Sequence, residues 1–132
     1  MKGNFIADSD LILTSAQTVT SDAAGNISAG YVDLGTNYID YPSVLGVFFL
    51  GTTDFANADE IYEFKIQFSN ATNFATIEGE YSVTCSSATE IERNNSTLLV
   101  PARATGQYVR CFTDVTGTTP SVVIDKAFLT KE

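Results

Sequence analysis

Tyr62-Glu63-Phe64-Lys65-Ile66-Gln67-Phe68-Ser69 alternates large apolar with polar side chains along its whole length. Successive residues of an extended chain point to opposite faces, so Tyr62, Phe64, Ile66 and Phe68 share one face and Glu63, Lys65, Gln67 and Ser69 the other. The pattern predicts a strand with one face in a core and one in water. Downstream, Tyr108-Val109-Arg110-Cys111-Phe112-Thr113-Asp114-Val115 and Val122-Val123-Ile124-Asp125-Lys126-Ala127-Phe128-Leu129 carry apolar groups on both faces, which predicts two central strands. Gly117-Thr118-Thr119-Pro120 between them reads as the turn of a closing β-hairpin.

Upstream, Val44-Leu45-Gly46-Val47-Phe48-Phe49-Leu50 reads as a buried strand, and shorter candidates lie at 11–13, 18–20, 31–34, 81–85 and 97–100. Clusters of Gly, Asn, Ser and Thr at 22–26, 35–37, 51–57, 69–73, 86–89 and 94–96 separate them as turns. Residues 54–60 hold at most one helical turn, with Asp54 as its N-cap. The expected fold class is therefore all-β, a jelly-roll-like antiparallel β-sandwich of about eight or nine short strands. It forms a single domain over 1–132, with a short N-terminal arm over about residues 1–10.

Composition narrows the function classes. A chain of 132 residues buries enough surface to fold without metal or disulfide support. Its net charge of -9 would repel a phosphate backbone, so no nucleic-acid partner is expected. The longest apolar run, 44–50, is far shorter than a membrane-spanning helix, and acidic Asp8 interrupts the N-terminus before a secretion signal can form. No membrane partner is expected. Cys85 and Cys111 lack redox or zinc spacing and read as small buried core residues in preference to a disulfide.

The sequence has no histidine, which removes the usual general base and the commonest metal ligand. Glu78-Gly79-Glu80 and Glu90-Ile91-Glu92 are carboxylate pairs, but i, i+2 residues on one strand face the same side, whereas a glycosidase opposes its two across a substrate. They read as solvated acidic edges. Asp8-x-Asp10 and Asp59-Glu60 offer oxygen ligands without the calcium-loop spacing, and Asp10 reads as a turn cap before Leu11. Neither an enzymatic activity nor a cofactor nor a metal site is expected. Tyr31, Tyr38, Tyr41, Phe55 and Phe74 lie in or beside predicted loops, where aromatic groups either pack over the sandwich ends or anchor a partner. They are the candidate contact residues.

Asp10-Leu11-Ile12-Leu13-Thr14-Ser15-Ala16-Gln17-Thr18-Val19-Thr20, followed by Tyr31-Val32-Asp33-Leu34-Gly35, resembles the opening of the capsid cement, or decoration, proteins of tailed bacteriophages. Leu99-Val100-Pro101, Gly106-Gln107-Tyr108-Val109-Arg110 and Ala127-Phe128-Leu129 are similar to the close of that family, while 38–92 matches in strand character alone. The resemblance implies a virion structural protein on the outer capsid surface, made in the host cytoplasm, that binds the major capsid protein and cements neighbouring subunits. It also implies a homo-oligomer, dimer or trimer, at a symmetry axis. A carbohydrate-binding module, or a tail or fibre domain, is the alternative reading of the same composition. Arg110 is expected to pair with a nearby carboxylate of its own domain.

Overall fold

The structure is a computed structural model and describes residues 11–131. Its strands are β1 (Ile12–Val19), β2 (Ala23–Ala24), β3 (Val32–Asp33), β4 (Val44–Thr53), β5 (Ile61–Ser69), β6 (Gly79–Cys85), β7 (Thr97–Ala102), β8 (Tyr108–Thr116) and β9 (Val122–Lys131). A 3-10 turn, Tyr38–Asp40, precedes β4, and a short helix, α1 (Ala88–Arg93), links β6 to β7. The arm over residues 1–10, with Asp8 and Asp10, lies outside the described residues.

The pairing is that of a folded ribbon. β1 runs antiparallel to β9, β2 and β3 to β8, β4 to β7, and β5 to β6. Rolling this ribbon lays β9 beside β4 and β8 beside β5. Two sheets result, ordered β1-β9-β4-β7 and β2-β8-β5-β6, with β3 also on β8. This is a jelly roll. The sheets close on Tyr62, Phe64, Ile66 and Phe68 of β5, each fully buried, against Phe48, Leu98, Val100, Ile124 and Leu129 of the facing sheet. Gly46 of β4 lets the sheets approach closely: a Cβ there would stand 2.7 Å from Ile66 Cγ1. A smaller cluster of Leu45, Val47 and Phe128, packed with Ile12, Phe49 and Leu99, lies on the other face of the four-stranded sheet, which is why β4 reads as apolar on both sides.

Several expectations need correction. β8 and β9 are central strands, but of different sheets, so 117–121 is an arch between the layers and not a hairpin turn. Its hydrogen bonds explain the choice. Tyr62 Oη accepts from Ser121 N at 3.0 Å and also contacts Asp54 O, while Asp59 accepts from Thr118 N and Oγ1 at 3.0 and 2.8 Å. These tie the arch to the β4–β5 connection instead of letting β8 fold onto β9. Gly117 takes φ +108, and a Cβ there would meet the Asp59 backbone at 2.6 Å.

The candidates at 11–13 and 18–20 are one strand, β1, with a register irregularity between Ile12 and Thr14. Residues 54–60 form no helix; Asp54 instead accepts from Ala56 N at 2.8 Å in a side-chain turn. The helix lies at Ala88–Arg93, so Glu90 and Glu92 point in different directions and are not a strand edge. On the expected wet face of β5, Gln67 and Ser69 are buried, because the β5–β6 loop folds across them and Ser69 Oγ donates to Thr76 O at 2.6 Å. Cys85 and Cys111 are both buried and free.

Candidate interaction surface

The jelly roll gathers its loops at two ends. At one, residues 34–43, 70–78 and 103–107 meet beside the start of β4 and the end of β9; at the other, 54–60, 117–121 and α1 meet. Ala104 N donates to Tyr41 O at 3.1 Å and Gln107 N to Asn70 Oδ1 at 3.0 Å, holding the first set together.

The structure distributes the five candidate aromatics unevenly. Tyr38 and Tyr41 flank the 3-10 turn, both half-buried and packed on the core, with Lys131 Nζ 4.8 Å from the centre of the Tyr41 ring. Tyr31 stands edge-on to Tyr108, ring centres 5.1 Å apart, on the outer side of the five-stranded sheet. Phe74 is buried, 4.4 Å from the Arg110 guanidinium, in a left-handed conformation with φ 53. Phe55 sits at the opposite end, edge-on to Tyr62, over a small depression lined by Gly51, Ala88, Ile91 and Glu92. Four of the five therefore belong to the 38–42 end or the sheet face beside it, and Phe55 does not.

The most exposed large apolar side chain among the described residues is not one of those five. Ile39, 72% exposed, projects from the 3-10 turn between the half-buried tyrosines. It borders an open depression of about 360 Å³ with Tyr38, Pro42, Arg103, Ala104 and Thr105. Within that wall, Thr105 Oγ1 is buried and has no hydrogen-bond partner among the described residues. The only sequence signal for Ile39 is its place within Asn37-Tyr38-Ile39-Asp40-Tyr41-Pro42, a loop too rich in large apolar groups to be ordinarily solvated.

Charge is arranged differently. Asp22, Asp54, Asp59, Glu90 and Glu92 all belong to the α1 end or its edge, with Arg93 among them, while Glu60 beside them is fully buried. Hydrogen bonds from Thr118 hold the Asp59 carboxyl below the usual range, and those from Ser86 do the same for Glu90. On the outer face of β5, Lys65 Nζ lies 2.5 Å from Asp114, 3.6 Å from Glu80 and 3.8 Å from Glu63. The hydrogen bond to Asp114 raises its pKa despite partial desolvation. Glu80 also accepts from Gln67 Nε2 at 2.7 Å, so this carboxylate serves the sheet face and opposes no second acid across a cleft.

Arg110 departs from expectation. The ion pairs among the described residues all belong to Lys65, and the Arg110 Nε donates instead to Gln67 Oε1 at 2.8 Å. Its guanidinium lies over Phe74 and, at 5.0 Å, over Phe112. Among the described residues no group of three or more Cys, Asp or Glu is placed to hold a metal ion, and no helix is long and apolar enough to cross a membrane. No protein-family model matches the sequence, and no curated protein does.

Proposed function

We propose that the protein is a virion structural protein that binds the outside of an assembled phage capsid and cements neighbouring major capsid subunits, docking through its 38–42 end. The observation that carries this reading is Ile39, held 72% exposed on a turn braced by Tyr38 and Tyr41 and bordering an open depression of mixed polarity. Burying such a side chain in a partner gains what its exposure forgoes, about 1.5–3 kcal/mol for full burial. Tyr38 and Pro42 beside it supply the aromatic and rigid contacts common at interface centres. Asp40, exposed next to Ile39, and Arg103 in the wall of the depression give the patch a polar rim of both signs that can pair with charged loops on a shell.

A ligand that binds the closed lattice in preference to its separated parts stabilises the lattice by mass action, and symmetry multiplies a modest contact over many copies. The exposed carboxylates of the α1 end, Asp22, Asp59 and Glu92, face outward in this arrangement and keep decorated particles apart.

The test is co-sedimentation with capsids of the virus that encodes the protein, purified without it. Ile39→Asp is expected to weaken occupancy by about thirtyfold, the effect of a central interface residue, while the melting temperature of the free protein stays unchanged. Unaltered occupancy overturns the assignment of this end. Saturable glycan binding by the free domain, with no capsid binding, overturns the cement reading in favour of a carbohydrate-binding module.

A further inference from the structure

On β8 the outward residues are Tyr108, Arg110, Phe112 and Asp114, while Val109, Cys111 and Thr113 point into the core. Arg110 is the anomaly in that row. Although the protein has more than twice as many acidic as basic residues, this guanidinium meets none of them within salt-bridge range among the described residues. It is nevertheless fixed in place. Its Nε–H is used by Gln67, whose own amide is fixed by Glu80 Oε2, and its plane lies over the rings of Phe74 and Phe112.

Phe74 reaches that position through a left-handed backbone conformation that a bulky residue rarely takes. Strain of this kind persists where the surroundings impose it and clusters at ligand clamps. The Nε bond leaves the N–H bonds of both terminal nitrogens without a protein acceptor among the described residues.

We propose that Arg110 is a preorganised docking point for a carboxylate from outside the protein, either an Asp or Glu side chain or the terminal carboxylate of a polypeptide. Paired terminal N–H groups match a carboxylate fork-to-fork, and the aromatic rings lower the local dielectric in which the pair forms. The negative surroundings, Glu80 one hydrogen-bond partner away through Gln67 and a net charge of -9, penalise a phosphate dianion more than a monoanion. The side chain is already held, so less rotamer entropy is lost on binding. The site lies on the sheet face and not on the Ile39 turn, so the proposal stands apart from the capsid reading.

The test follows the arginine Nε–H signals of the full-length protein by heteronuclear NMR during titration with N-acetylglycine, N-acetyl-aspartic acid α-amide and inorganic phosphate. Exposed Arg93 and Arg103 act as internal references. The Arg110 signal is expected to shift saturably with at least one carboxylate, about ten- to a hundredfold tighter than the references, in line with charged hydrogen bonds. Whichever carboxylate binds more tightly identifies the source. In Arg110→Lys, which keeps the charge but loses the fork, methyl and amide shifts around Phe74 and Phe112 should no longer saturate. Behaviour of Arg110 identical to that of Arg93 and Arg103, or a preference for phosphate, overturns the proposal.

Discussion

Replacing Tyr62 by phenylalanine removes a single oxygen atom, and the structure assigns that atom the job of holding the β8–β9 arch in place. Tyr62 is fully buried, and its hydroxyl accepts from Ser121 N at 3.0 Å while contacting Asp54 O and, at 3.1 Å, Ser121 O. In the variant the Ser121 N–H loses its acceptor, and the two carbonyls lose their shared neighbour. Leaving a partly buried donor unpaired costs up to about 1–3 kcal/mol, and the new phenyl edge recovers part of that because it needs no partner. The net expectation is a loss of about 1–2 kcal/mol, or roughly 3–10 °C in melting temperature for a domain of this size. The assay is thermal unfolding with amide hydrogen exchange, in which the Ser121 amide should lose protection before the strands do. A melting shift under about 1 °C with Ser121 protection intact would refute the reasoning that this hydroxyl anchors the arch.

Two further outcomes follow from the same packing. Burial pushes the Cys111 thiol from 9.0 up to about 12 and the Cys85 thiol up to about 11. Both folded values are raised, so stability is complete below the unfolded value and falls as pH rises above it, by up to about 1.4 kcal/mol per pH unit for each thiol. Urea melts at about pH 8 and about pH 10.5 should differ less in Cys85→Ala/Cys111→Ala than in the parent; equal differences would contradict the linkage. At the sheet-to-sheet contact, a Cβ on Gly46 would stand 2.7 and 2.9 Å from Ile66 Cγ1 and Cδ1. Gly46→Ala should therefore cost about 1–2 kcal/mol, the overpacking penalty less the gain from leaving glycine, and Ile66→Ala in the same protein should recover part of it. Additive losses would mean the two residues do not meet.

The strands are legible because their signal is local. Alternation in 62–69 places Tyr62, Phe64, Ile66 and Phe68 in the core without reference to any other segment. The arch is not legible, because Gly117-Thr118-Thr119-Pro120 has the residues of a turn whether the backbone returns in its own sheet or crosses to the next. That choice is made by Tyr62 and Asp59, more than fifty residues away. Helix α1 does carry a local signal: Ser87-Ala88-Thr89-Glu90 is a capping-box pattern, and Ser87 Oγ accepts from Glu90 N at 3.4 Å while Glu90 Oε1 accepts from Ser86 N at 2.9 Å.

The candidate surface divides in the same way. Tyr38 and Tyr41 stand out in the sequence as loop aromatics, yet the tertiary contacts turn them inward and leave Ile39 exposed, an outcome that three neighbouring apolar residues in one short turn do not decide among themselves. Phe74 and Arg110, far apart in sequence, come together only because the β5–β6 loop folds back over β8.

The central claim is that the 38–42 end docks on the outside of an assembled shell. Electron cryo-microscopy of undecorated capsids incubated with the protein tests it most directly. The account predicts jelly-roll density at symmetry-related positions on the outer surface, with Ile39 against the shell and α1 facing solvent. Bare capsids at saturating protein, or copies seated through the α1 end, would contradict it.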